Sequence, residues 1–348
     1  MKVLYLVQDG MHVHDYGCDY LYAGFCAMLG PENVFDFPEK GPLHLKSIDD
    51  RDECNISSDQ CWPVKGHRIE DVAREADLVI LAAPSPQLYQ ACTYVPIGTP
   101  IVAVDFGDAL GDFRQPYERV ANRPIALYFK RELPLGESFA LPMPLSFPAS
   151  RVPNPLPEKA NRVHYWATSH GMGDPGKPRM AIAWALATSL AKDADGIFEH
   201  DGKGTVRILN EKADVWLTPG QAKGTRPSPE RYWEQMAQSL VGISWNGALN
   251  WDCQRFWECF AFGLCMVAER PRIQILNQPE HEKHCWYVDN MADVAPAVIH
   301  LLNNEELARQ IAADGHRHFL QYHSSEARAL RIIDALGLTE RVANASCV

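Results

Sequence analysis

The stretch LVGISWNGALNWDCQRFWECFAFGLCMVAER, from Leu240 to Arg270, decides the fold. An apolar run, Leu240 to Ile243, has the length of a buried strand and ends in a Gly/Asn-rich loop. The loop opens a helix carrying Phe256, Trp257, Phe260 and Phe262 around one acid, Glu258. Gly263 stops that helix, since glycine enters the left-handed region at little cost. A second apolar run, Leu264 to Ala268, follows. The order strand–loop–helix–strand is one unit of a parallel sheet. A carboxylate among apolar residues is costly to bury unless something polar pairs with it. Glu258 therefore points to a polar ligand or to a basic partner. Arg255, three residues earlier on the same helix, is placed to be that partner.

The rest of the chain repeats the pattern. Short apolar runs at Lys2–Val7, Val34–Phe37, Leu78–Ala82, Ile101–Asp105, Ile125–Phe129 and Ser138–Leu141 read as strands. Helices are expected at Tyr20–Leu29 and Ile69–Ala76, a loop at Gln8–Gly17, and a polar excursion at Glu39–Lys65. Strands of about five residues alternating with helices imply a parallel sheet covered on both faces. Pro142, Pro144, Pro148, Pro153, Pro155 and Pro157 cannot sit in a helix or central strand and mark an interdomain hinge. A second series starts at Val163–Trp166 and continues with a helix at Met180–Leu190, a strand at Val206–Leu209 and a helix at Pro229–Gln238.

The segment Arg255–Val267, R-F-W-E-C-F-A-F-G-L-C-M-V, resembles the R-x-x-E-A-x-A-x-G-x-x-x-V segment of GT-B glycosyltransferases. The likeness is to the family-1-like group that includes spore-maturation CgeB-type proteins. Tyr287-Val288-Asp289, the helix from Asp293 to Leu302, Ile311–His318 and the helix start at His323-Ser324-Ser325 extend it. The resemblance implies an α/β protein of two doubly wound Rossmann-type domains facing each other across a cleft. Residues 1–157 would bind the acceptor and 158–348 the nucleotide sugar, the last helix packing back on the first domain. It also implies that Glu258 binds the ribose of the donor. Many retaining members carry an earlier acid eight residues before it, where this chain has Asn250.

Composition bounds the alternatives. The 348 residues suit two domains, and 46% hydrophobic content supports sizeable cores. No apolar run approaches the roughly 18 residues of a membrane span, and the start MKVLYLVQDG reads as a strand rather than a signal peptide. The ten cysteines form no C-x-x-C pair, which suits a reduced, cytoplasmic protein. A net charge of −11 is unlike a general nucleic-acid binder, though it leaves room for a local basic cleft.

Five constellations could carry chemistry. Ser169–Arg179 follows a strand and opens a helix: Gly171 and Gly173 let backbone amides approach a phosphate, and Lys177 and Arg179 could neutralise a diphosphate. Asn246 and Gly247 offer amides beside Arg255 and Glu258, and Trp245 and Trp251 flank that loop. In the N-terminal loop, His12, His14 and Asp15 suit acid–base work on an acceptor hydroxyl, or a metal; His14 and Asp15 are taken as catalytic and His12 as an acceptor contact. Asp105, Asp108 and Arg131 stand after strands and are taken as acceptor contacts, while Lys130 and Glu132 read as a structural ion network. Pro279–His284 lacks the H-E-x-x-H zinc spacing and reads as an exposed loop. Lys223 and Arg226 are further phosphate candidates.

The expected function is transfer of a sugar from a nucleotide-diphosphate donor to an acceptor hydroxyl, with no metal and no cofactor beyond the co-substrate. The acceptor class (small molecule, glycan or modified DNA) is open. The alternatives are a DNA-modifying glycosyltransferase acting on a hydroxylated base, and a non-catalytic two-domain nucleotide-binding protein.

Overall fold

The structure is a computed structural model that describes residues 1–8, 15–44, 66–169, 176–190, 197–200, 206–219, 229–245 and 251–340. The chain divides into two units, one of residues 1–150, 273–276 and 323–348, the other of residues 151–272 and 277–322. The division falls inside the proline-rich stretch.

The first unit holds, in order, β1 (Val3–Leu6), α1 (Tyr16–Leu29), β2 (Val34–Phe37), α2 (Gly41–His44), α3 (Ile69–Glu75), β3 (Leu78–Leu81), α4 (Tyr89–Thr93), β4 (Ile101–Asp105), α5 (Arg114–Ala121), β5 (Leu127–Lys130) and β6 (Leu141–Pro142). The six strands are parallel and ordered β2-β1-β3-β4-β5-β6. Successive residues of a strand face opposite sides. Leu4, Leu6, Val79, Leu81, Ile101 and Ala103 accordingly share one core with α3, α4 and α5. On the other face Tyr5 meets Tyr22 and Phe25 of α1 edge-on.

The second unit holds β7 (Ala160–Ser169), α6 (Gly176–Leu190), β8 (Ile197–His200), β9 (Val206–Leu209), β10 (Ala213–Pro219), α7 (Pro229–Ala237), β11 (Ser239–Ser244), α8 (Gln254–Ala261), β12 (Cys265–Glu269), β13 (Trp286–Val288), α9 (Val294–Asn303) and α10 (Glu305–Tyr322). Its sheet runs β13-β12-β11-β7-β10-β9-β8, with β9 antiparallel to both neighbours and the other pairs parallel. Val163, Val215, Val241 and Val267 pack with α6, α9 and α10 in the core. The connections run from β7 out to β10 and back to β11 on its other side, the strand-order reversal of doubly wound sheets, where ligands bind beyond the carboxyl ends.

The last helix, α11 (Ser325–Ala335), belongs to the first unit and packs on α1. Gly24 permits that approach, because a Cβ there would lie 2.2 Å from the Ser325 carbonyl oxygen. Ser324 caps α11 by accepting the Ala327 amide, and the Ser325 amide reaches the Phe147 carbonyl.

The deciding stretch folds as read. The α8 helix ends in a Schellman motif: Gly263 has φ +64°, its amide meets the Phe260 carbonyl, and the Leu264 amide meets the Cys259 carbonyl. Elsewhere boundaries move. Helix α1 starts at Tyr16, inside the expected loop, because Asp15 caps it. Strand β5 starts two residues later and ends one residue later than expected, and β6 shrinks to Leu141–Pro142. Helices α4 and α5 and strands β8 and β10 were not foreseen, and α2 interrupts the expected excursion. Among the described residues no helix is long and apolar enough to cross a membrane.

Candidate functional site

Two arginines and one acid converge in the second unit, above the middle of its sheet. Arg179, in the first turns of α6, is buried at 6% exposure. Its guanidinium lies close enough to Arg255 of α8 that burial, and then the charge of Arg255, hold its pKa below the ordinary value. The Arg255 guanidinium lies 5.8 Å from the ring centroid of Tyr165 on β7. Its Nε and Nη1 atoms are buried and have no hydrogen-bond partner among the described residues.

The direct pair between Arg255 and Glu258, the alternative to a ligand on the acid, does not form. Helical spacing places them side by side, but tertiary partners take the acid. The Tyr232 hydroxyl of α7 donates to Glu258 Oε2 at 3.3 Å, and the Trp233 indole N–H donates to Oε1 at 3.3 Å. Burial raises the Glu258 pKa, against the pull of Trp233, Arg255 and Tyr232. The acid is thus enclosed by two neutral donors rather than matched by a cation.

Around this group lie residues that sequence reasoning passed over. His164 of β7 stands 3.4 Å from Asp214 of β10, and the Trp166 indole donates to Asp214 at 2.7 Å. Burial holds the His164 pKa down, against the pull of Asp214. The Tyr232 ring is 5.6 Å from His164 and 6.0 Å from Trp166. The alternation of His164, Trp166 and Asp214, Trp216 along two strands, opposite the apolar face, was the available signal.

The other donor-side expectations separate. The backbone of Lys177 lies in the first turn of α6; its side chain is outside the described residues. Gly171, Gly173, Asn246, Gly247, Asn250, Lys223 and Arg226 also lie outside them. Trp245 is part of the core rather than a stacking platform, and Trp251 is 7% exposed with its ring 4.8 Å from Phe256.

In the first unit, His12 and His14 lie outside the described residues. Asp15 is a helix cap: Oδ1 accepts the Cys18 amide at 3.1 Å and Oδ2 the Cys18 thiol at 3.0 Å. Capping gives that carboxylate a structural role. Asp105 is buried and accepts from Tyr128 (2.8 Å), Lys130 (2.8 Å) and the Gly107 amide (2.8 Å). Arg131 bonds Asp108 at 2.8 Å and lies 3.8 Å from Glu132, so the ion network expected of Lys130 and Glu132 extends to Asp105, Asp108 and Arg131. Two buried pairs went unseen: Lys40 with Asp19, and His44 with Asp36 at 2.8 Å. Burial pushes Asp19 up to about 6, against the pull of Lys40.

His281 and His284 each accept a backbone amide at 3.0 Å, from Tyr287 and Glu280, so their loop is turn chemistry. Among the described residues no three His, Cys, Asp or Glu side chains converge as metal ligands.

Comparison with known proteins bears on the fold. Residues 190–334 match the model of a family described as glycosyl transferase-like. An alpha-glucosyltransferase in complex with UDP superposes with a TM-score of 0.58 at 11% identity, over 97% of this chain and 100% of that one. Anabaena Alr3699/HepE in complex with UDP-glucose gives 0.53 at 14% identity, over 97% and 99%. A glycosyltransferase from Rickettsia africae ESF-5 gives 0.53 at 10% identity, over 98% of each chain. No curated protein matches the sequence significantly. At these identities the structural likeness is one of fold. The chain therefore has the GT-B fold, and its residues 190–334 are similar to the family described as glycosyl transferase-like.

Proposed function

We propose that this protein transfers a sugar from a UDP-sugar to an acceptor hydroxyl, with the donor held by the second unit. The observation that carries the reading is Arg255, whose Nε and Nη1 lack partners beside the buried Arg179. Two neighbouring guanidiniums repel each other and are stabilised by an anion of at least two charges. A diphosphate meets that need. It also gains charge as the bond from the sugar's anomeric carbon to its terminal oxygen breaks, so the same arginines stabilise the leaving group most when it departs. This electrostatic role replaces the metal that other sugar transferases use. UDP as the nucleotide is favoured by the UDP and UDP-glucose bound to the structures of similar fold.

The acceptor carries a hydroxyl; small molecules, glycans and DNA with hydroxylated bases are the classes to screen. The cytoplasm suits the seven described cysteines, all free thiols. A thermal-shift screen with UDP, GDP, TDP, CMP, ADP and NAD tests the reading. UDP at about 100 times its dissociation constant should add about 2.7 kcal/mol of stability. Stabilisation by NAD alone, or by none of the six, would overturn it.

A further inference from the structure

The loop between β12 and β13 is held in the second unit by histidine rings. Two of its residues, Asn277 (φ +54°) and Glu282 (φ +61°), take the left-handed backbone conformation, which is strained for a residue with a Cβ. Two of its backbone bonds end on imidazole nitrogens. His284 Nδ1 accepts the Glu280 amide at 3.0 Å, and His281 Nδ1 accepts the Tyr287 amide at 3.0 Å. A ring nitrogen accepts only while it carries no proton, so both bonds require neutral histidines. His284 lies flat against His318 of α10, with ring centroids 4.1 Å and planes 23° apart. His318 Nε2 in turn donates to the Asn277 carbonyl at 2.7 Å. Asn277 is where the chain re-enters the second unit, and Tyr322, one turn beyond His318, is where it leaves. Gly315 of α10 permits the close approach, because a Cβ there would collide with the His284 carbonyl oxygen.

We propose that this loop is an acid-sensitive clasp: neutral His281 and His284 close it, and a proton on either Nδ1 opens it by removing the lone pair that holds a backbone amide. For His284 an alternative partner is at hand. Its Nδ1 is 4.0 Å from Glu280 Oε1, so the protonated ring can turn to the carboxylate of the residue whose amide it releases. In the closed form that carboxylate is bonded by Lys283 Nζ at 2.7 Å. The other titratable groups around His284 are His318 and Asp314, both on α10. Around His281 stands Glu282, whose Oε1 is 3.4 Å from Nε2; Trp286 packs on the ring at 5.2 Å, with His300 of α9 beyond it. Burial, and then the charge of His318, hold the His284 pKa below the ordinary value; burial lowers that of His318, against the pull of the Asn277 carbonyl. A base whose folded pKa is depressed lends stability above its unfolded value, and that stability is lost as pH falls through the folded one. The clasp is therefore closed at neutral pH and opens on the acid side of the ordinary histidine range. It is independent of the UDP-sugar reading.

The test is amide hydrogen exchange read by NMR on the full chain, from about pH 7.5 to about pH 5, a range that spans the ordinary histidine value. Rates are corrected for the intrinsic pH dependence of exchange. The native protein is compared with His284→Asn and His281→Asn, since asparagine offers a carbonyl oxygen near the position of Nδ1 and does not titrate. In the native protein the Glu280 and Tyr287 amides should each lose about tenfold in protection across the range, the size of one hydrogen bond, while amides of β11 and β12 keep theirs. In His284→Asn the Glu280 amide should stay protected at every pH while the Tyr287 amide still loses protection. His281→Asn should show the reverse. Constant protection of both amides in the native protein overturns the proposal, and so does a Glu280 amide that loses protection in His284→Asn in step with the native chain. A loss shared equally by β11 and β12 overturns it as well, because it reports general acid unfolding. Should one variant fail to fold, the other makes the same comparison with the two amides exchanged.

Discussion

The clearest buried charges of the two units are handled differently. In the first unit three buried acids have partners of opposite sign: Asp105 with Lys130 at 2.8 Å, Asp19 with Lys40, Asp36 with His44. Lys130 is completely buried, and Tyr128 and Gly107 share in satisfying its acid. In the second unit Arg179 and Arg255 stand beside each other, while Glu258 is served by a phenol and an indole. A matched buried pair is architecture, since breaking it strands a charge in a medium of low dielectric constant. Arg255, whose Nε and Nη1 have no hydrogen-bond partner among the described residues, carries a demand that a ligand can meet.

Asp105→Ala should break the first arrangement most severely. It strands Lys130 and should cost about 3–5 kcal/mol. Thermal unfolding should show a fall in melting temperature on the order of 10 °C; an unchanged melt would mean that the pair is not what holds β4 to β5. Gly24→Ala probes the same unit through packing alone. Its methyl group would collide with the Ser325 carbonyl, so a loss of about 1–3 kcal/mol is expected in denaturant unfolding, with the m-value unchanged. Arg255→Met should do the reverse of Asp105→Ala. Without ligand it removes a like-charge neighbour of Arg179 and keeps the packing stem, so melting should stay within about 1 kcal/mol of native or rise. A large loss there would show Arg255 to be structural.

The smallest effect is in pH dependence. The fold favours the protonated form of Glu258, whose folded pKa is raised by burial. Its contribution to stability is full below the unfolded carboxylate value and is lost as pH rises through the folded one. Glu258→Gln should flatten the stability–pH curve just above the ordinary carboxylate range and leave it unchanged below. An identical slope in the variant would mean that the acid is charged and satisfied throughout.

How much of this was legible in the sequence follows from the range of the contacts involved. The α8 unit was readable because its signals are local: Gly263 ends the helix through bonds spanning three and five residues. The Glu258 helix and its arginine were found for the same reason. Their partners were not, because Tyr232 and Trp233 come from another helix, and i,i+3 spacing argued for a pair that tertiary contacts pre-empted. The capping role of Asp15 was hidden because an acid in a His-rich loop and an acid capping a helix look alike until the Cys18 amide is seen to be its partner. The partner of Asp105 was hidden likewise: an acid at a strand end suits a ligand, and Lys130 reaches it from the next strand in register. The paired arrangement of the first unit thus depends on cross-strand contacts, which spacing along the chain does not encode.

The most direct test of the central claim is calorimetric titration of UDP into the native chain and into Arg255→Met, under conditions where both are fully folded. The account predicts measurable binding by the native chain and a loss of about thirtyfold in the variant, the cost of about 2 kcal/mol for removing a charged partner. Equal affinities would contradict it, because the unmet charge in the second unit would then have nothing to do with the donor.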